Sequence, residues 1–303
     1  ANGTYSVSIT LSAPASSKTV TVSQTNSDGT GADSRIFILN PLVPSILITS
    51  PAANTITTST VAIQGSCDSS VSTINISGAT PTSTTCSGGT FNQVITLSGV
   101  DGSKSATVSQ TNGSGTGSDN RAFILDTASP TSTSISINAG ATYTNSTSAT
   151  LTLAATDSNS GIQMYVTNTA GCGSGGTYEA YSTSKSWTVA QTNSTATVYV
   201  KFKDSVGNQT SCISASIIHD NTNPAAITFT TPTSAVSTSQ SSYNFSWNAS
   251  SDGGSGVKDY LVEIFSDGTC SSVISSVYQT GTSYSLNTLA STNSIRITGR
   301  DNA

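Results

Sequence analysis

The hydrophobic residues of this chain recur at every second position in short runs, and hardly anywhere at the three-to-four spacing of a helix. Between residues 45 and 125 the segments SILITS, STVAIQG, STINIS, TFNQVITL, SATVSQTN and RAFIL each carry their apolar side chains largely on one alternating stripe. Clusters of Gly, Ser, Asn and Pro separate them. Period-two alternation turns one strand face into a core and the other into water, as a sheet covered on one side requires. The stripe predicts a core of Ile46, Ile48, Val61, Ile63, Ile74, Ile76, Phe91, Ile95, Leu97, Val108, Phe123 and Leu125.

The pattern repeats. TVSQTNSDGTGADSRIFIL at residues 21–39 matches TVSQTNGSGTGSDNRAFIL at residues 107–125, and residues 3–39 align without a gap to residues 89–125 at an offset of 86. That period suits one seven-strand sandwich and is too long for a solenoid unit. Residues 1–43 therefore read as the C-terminal half of a sandwich module whose matching stripe is Tyr5, Val7, Ile9 and Leu11, and residues 44–129 as a complete one. Residues 130–223 form a third module with strands in SISIN, ATLTLAAT, IQMYVTN, KSWTVAQ, ATVYVKFKD and ISASIIHD, anchored by Trp187, Val198, Val200 and Phe202. Residues 224–303 are expected to form a fourth, without its last strand. The fold class expected is all-β, a set of tandem sandwiches in an extended array.

Composition narrows the function classes. Ser and Thr supply 110 of the 303 residues, while only 8% are charged. A net charge of −5 is too small for charge-driven disorder over this length, which leaves many short strands with polar outer faces. The 10 Lys and Arg are scattered singly, so no basic stripe exists for a phosphate backbone and no nucleic-acid partner is expected. No run of about 18 apolar residues is present, so no segment of the sequence reads as a membrane span.

Five cysteines lie at 67, 86, 172, 212 and 270, without the paired spacing of zinc ribbons or redox motifs. Two pairs fall within single modules, Cys67 with Cys86 and Cys172 with Cys212, and are expected to form disulfides in an oxidising compartment. Cys270 is left over. Cys172 and Cys270 stand at similar distances before Asp204 and Asp301, which puts the counterpart of Cys212 near position 309, beyond the last residue here.

KDSVGNQTSCISASIIHDNTNP (203–224) and FILDTASPTS (123–132) resemble the end-of-module pattern of bacterial Ig-like repeats, a D-x-x-G-N loop and a last strand followed by D-x-T-x-P. WNASSDGGSGVKDYLVEI (247–264) is similar to the B-to-C strand region of fibronectin type III-like modules of very large surface proteins. The resemblance spans nearly the whole chain. It implies a giant secreted or surface-anchored fibre or adhesin of a Gram-negative bacterium, extracellular or on the cell surface. Proline at each junction fixes its own φ and keeps the residue before it extended, so that successive modules join end to end with restricted bending.

No catalytic residue is expected. A Ser or Cys nucleophile needs a base, and the lone His219 sits in a last strand beside a linker. The two Glu, Glu179 and Glu263, fall in different modules, which excludes a paired-Glu glycosidase site. Asp126, Asp157, Asp204 and Asp220 occupy linker or loop positions where module ends meet, and there they would suit a calcium ion, which takes six to eight oxygens. Against that stands the Asx turn, in which such an Asp bonds to its own backbone. No other cofactor is expected. Trp187 and Trp247 lie in alternating strands and read as core, leaving Tyr178 and Tyr181 in the Gly-rich GCGSGGTYEAY loop as the aromatics to weigh as sugar contacts.

The function expected is a structural stalk that projects a distal binding tip. Its partners would be adjacent modules of the same chain and other copies in a filament. The alternative is an adhesive module whose loops contact a host, prey or matrix surface, including a cell-surface glycan. A virion tail fibre is a third reading, opposed by the cysteine pairs, because virion parts fold in a reducing cytosol.

Overall fold

A computed structural model describes residues 3–11, 17–38, 42–237, 241–287 and 293–303. The chain divides into two compact units, Ala1–Ala128 with Ser158–Ser160, and Ser129–Asp157 with Gly161–Ala303. Apart from two single 3₁₀ turns, the regular structure of the described residues is β-strand.

In the first unit β1 (Ser17–Asn26) and β2 (Gly29–Ile38) pair as an isolated antiparallel hairpin. There follow β3 (Leu47–Ser50), β4 (Thr55–Thr57), β5 (Thr60–Ser66), β6 (Thr73–Ser77), β7 (Ser83–Thr85), β8 (Thr90–Thr96), β9 (Gly102–Asn112) and β10 (Gly115–Leu125). One sheet has the order β3-β5-β8 and the other β4-β10-β9-β6-β7. Ile48, Ile63, Phe91 and Ile95 of the first sheet and Ile74, Val108, Phe123 and Leu125 of the second share a single core, which makes the pair a sandwich. Alternation along β5 and β9 decides which residues enter it. Of the core members expected between Ile46 and Leu125, Val61 alone stays only partly buried.

The second unit begins with the same topology. Its strands are β11 (Thr131–Ile137), β12 (Tyr143–Thr144), β13 (Ser148–Thr156), β14 (Ile162–Thr167), β15 (Tyr178–Ala180), β16 (Ser184–Thr188), β17 (Ser194–Asp204) and β18 (Ile213–His219). Here the sheets run β11-β13-β16 and β12-β18-β17-β14-β15, and Leu151, Leu153, Met164, Val198, Val200 and Phe202 fill the space between them. Trp187 packs against that core from the rim and remains half-buried, because its indole N–H reaches the Asn168 side chain at 2.8 Å. A further sandwich has β19 (Phe229–Thr231), β20 (Ser242–Trp247) and β23 (Ser283–Asn287) facing β21 (Val257–Phe265), β22 (Val273–Gln279) and β24 (Ser294–Asp301). Trp247, Tyr260 and Val262 are its buried centre.

One sequence expectation fails. Residues 3–11, with the stripe Tyr5, Val7, Ile9 and Leu11, form no strand and bury no core, and Tyr5 and Val7 are 69% and 72% exposed. Their repeat counterpart β8 is held along its length by the ladder to β5. No strand equivalent to β5 lies beside residues 3–11 among the described residues, so the alternation has nothing to pair with.

Candidate functional site

Buried polar and charged side chains gather where β18 ends and the next sandwich begins, among them His219, Asp220 and Ser255. β18 closes on His219 and Asp220, both 1% exposed. The imidazole Nδ1 of His219 accepts the backbone N–H of Asn193 at 3.0 Å, which ties β18 to the turn before β17. Through this bond His219 acts as an acceptor that anchors the turn.

Asp220 reaches into the following sandwich. One carboxylate oxygen accepts the N–H of Thr222 at 3.0 Å, an Asx turn that starts the linker, and the other accepts the N–H of Ser255 at 2.6 Å. The N–H bonds of Ser255 and then Thr222 hold the Asp220 carboxyl below the usual carboxylate range. The contact needs glycine at 254, since a Cβ there would lie 2.5 Å from the carboxylate. Asn302, just past β24, grips the same loop from the other side, donating from its amide to the carbonyls of Ser255 at 2.9 Å and Gly256 at 3.1 Å. The DGGSG loop of residues 252–256 is therefore clamped between the last strand of one sandwich and the end of β24.

Asp220 also has carboxylate company. Asp220, Asp252 and Asp301 each bring one oxygen within 4.8 Å of the others. Asp252 uses Oδ1 on the N–H of Gly254 at 2.8 Å, while its Oδ2 is sheltered from water and accepts no hydrogen bond. Three carboxylates this close repel one another, and a hard cation would relieve that. Asp252 and Asp301 were not among the cation ligands expected from the sequence, because they lie 32 and 81 positions from Asp220 and only the fold joins them.

The other expected cation ligands are placed differently. Asp204 ends β17 and organises its own loop: Oδ1 accepts the N–H groups of Val206, Gly207 and Asn208 at 2.9, 2.6 and 2.9 Å, and Oδ2 accepts the Asn208 amide at 2.6 Å. Asp157, after β13, brings a carboxylate oxygen within 4.8 Å of Asp204. Asp126 is buried after β10, where its N–H donates to the Thr57 carbonyl at 2.9 Å. For Asp204 the turn-building reading accounts for both oxygens.

Cys67 and Cys86 are bridged with sulfurs 2.07 Å apart, Cys172 and Cys212 with sulfurs 2.05 Å apart, and Cys270 is a free, half-buried thiol. Tyr181 is not a surface contact residue. Its ring packs edge-on against Phe202 and its hydroxyl accepts the N–H of Ala155 at 3.1 Å. Tyr178 lies nearer the surface, but its face is occupied, with the Lys203 ammonium 4.1 Å from the ring centroid and Tyr165 5.3 Å away. Its hydroxyl donates to Gln209 at 2.7 Å, and burial pushes the phenol pKa up. A sugar stacking there would first have to displace a lysine. No helix among the described residues is long and apolar enough to cross a membrane.

No protein-family model matches the sequence, and no curated protein matches it. Solved structures do. The fibronectin(III)-like modules of Clostridium thermocellum CbhA match at 14% identity over 58% of this chain and 95% of that one, with a TM-score of 0.32. Domains A168–A170 of titin match at 14% identity over 86% and 94%, with a TM-score of 0.38. The FN1–FN3 domains of chicken CNTN1 match at 15% identity over 86% and 93%, with a TM-score of 0.31.

Proposed function

We propose that this chain is a non-enzymatic spacer, a segment of a long extracellular fibre on a bacterial surface, whose task is to hold successive sandwiches at a set angle. The observation that carries the reading is the Asp220–Ser255 bond, in which a buried carboxylate of one sandwich is spent on the backbone of the next. A charged acceptor on a backbone N–H is among the stronger hydrogen bonds available, and here it crosses a four-residue linker ending in Pro224. A flexible tether for independent binding domains has no use for such a clamp. The two disulfides support an oxidising, extracellular setting.

Residual dipolar couplings test this directly. The sandwiches of residues 130–223 and 224–303 are expected to share one alignment tensor, and two independent tensors would refute the spacer reading. The adhesive alternative predicts saturable binding of the chain to glycan or matrix-protein arrays. The spacer reading expects none, and likewise no hydrolytic activity sensitive to His219→Ala.

Calcium enters as a second element of the same reading, at Asp220, Asp252 and Asp301. If the ion binds there it stabilises the junction by mass action, about 2.7 kcal/mol at a hundredfold excess over its dissociation constant. Titration calorimetry with and without Asp252→Asn tests it, and an unchanged melting curve in chelator removes it.

A further inference from the structure

The hairpin β1–β2 copies β9–β10 at the positions that hold the rest of the first complete sandwich together. The registers coincide, Val22 opposite Asp33 as Val108 is opposite Asp119. Phe37 repeats Phe123 and Val22 repeats Val108, yet Phe37 is 45% and Val22 39% exposed where their counterparts are fully buried. An open cleft of about 1260 Å³ lies over this face, lined by Tyr5, Val22, Gln24 and Asp33 among others.

The polar copies say what the cleft accepts. In the complete sandwich Asp119 accepts the N–H of Ile48 at 2.7 Å while Arg121 donates to the carbonyl of the same residue, so one carboxylate and one guanidinium grip both ends of a residue in β3. Gln110 is fully buried. It accepts the N–H of Asp68 at 2.8 Å and donates to the carbonyls of Asp68 and Val71 at 3.1 and 2.6 Å, closing the loop between β5 and β6. Gly117 makes room for the entry to β3, since a Cβ there would lie 1.8 Å from the Pro44 carbonyl oxygen.

The hairpin carries the same types at Asp33, Arg35, Gln24 and Gly31. There Arg35 pairs with Asp33 in the open, both side chains about two-thirds exposed, and a Cβ on Gly31 would meet nothing within 4 Å.

We propose that the uncovered face of β1–β2 is a receiving surface for one kind of occupant, a half-sandwich of the same repeat type as residues 44–88. Charge complementarity supports that occupant. Asp33 faces a strand N–H, Arg35 faces the carbonyl of the same residue, and Gln24 closes a loop of the β5–β6 kind. A second copy of the hairpin stacked face to face presents side chains there, and it carries no counterpart of the β5–β6 loop that Gln24 would close. The proposal does not depend on the spacer reading.

The test splices residues 44–88 directly ahead of Gly3 in the full chain and follows amide exchange by mass spectrometry. Exchange over residues 17–38 is expected to slow about a hundredfold, toward the rate of residues 102–125, which report in the same molecule that the rest is folded. A graft of the same composition in shuffled order should leave exchange fast, and Arg35→Ala with Gln24→Ala in the true graft should restore about tenfold of it. Three results would overturn the proposal: unchanged exchange in the true graft, equal slowing by the shuffled one, or ungrafted chains that already protect residues 17–38 by dimerising through Phe37.

Discussion

The carboxylate of Asp220 accepts the backbone N–H of Ser255 at 2.6 Å, although 35 positions separate them in the chain. Ser255 is itself 4% exposed, so the bond cannot be replaced cheaply by water. Asp220→Ala is expected to leave that N–H and the one of Thr222 unsatisfied and to destabilise the sandwich of residues 224–303 by about 1–3 kcal/mol. Gly254→Ala should act in the same direction, through the clash of its Cβ with the carboxylate. Both are read from the denaturation midpoint reported by the fluorescence of Trp247, in a background with Trp187→Phe.

Acidification should weaken the same sandwich. The folded-state pKa of Asp220 lies below its unfolded value, so the stability it contributes is fully present above about pH 4 and lost as pH falls through the folded value. Asp259, held low chiefly by its hydrogen bond to Arg300, adds a contribution of the same sign. The midpoint should therefore decline below about pH 4, and Asp220→Asn should shrink that decline without removing it. A variant with the full acid dependence of the native chain would contradict the assignment.

Each disulfide closes a loop within one sandwich, of 19 residues for Cys67–Cys86 and 40 for Cys172–Cys212. Loop-closure entropy predicts losses of about 3 and 4 kcal/mol on replacing each pair by alanine. Urea unfolding of the two paired variants checks both values. Cys270→Ser is expected to change little, since the thiol has no bridge to lose.

The repeat allows one substitution to be made in two settings. Phe123→Ala removes a fully buried ring and should cost about 3–5 kcal/mol, while Phe37→Ala, at the same repeat position but half in water, should cost less than about 0.5 kcal/mol in this chain. Parallel urea titrations of the two variants give the comparison, and equal costs would mean that the hairpin face is already covered.

Much of this molecule is determined locally. Strict alternation in STVAIQG or SATVSQTN commits a segment to strand and names its buried face, because successive Cβ atoms point to opposite sides whatever the partner. The offset of 86 marks the repeat, and cysteines confined to one module leave few pairings. Within residues 44–223 the four strands missed by that reading, β4, β7, β12 and β15, are two or three residues long at sheet edges, and β4 and β12 join their sheets in parallel. Such strands exist only because a long neighbour offers unpaired backbone groups, and so short a segment has no periodicity to read. The same dependence explains residues 3–11, whose alternation is sound but which meet no ladder partner among the described residues. The meeting of Asp220 with Ser255, Asp252 and Asp301 likewise belongs to tertiary structure alone: the sequence places an acid at the end of a last strand, but which backbone N–H it reaches is decided by how the next sandwich is seated.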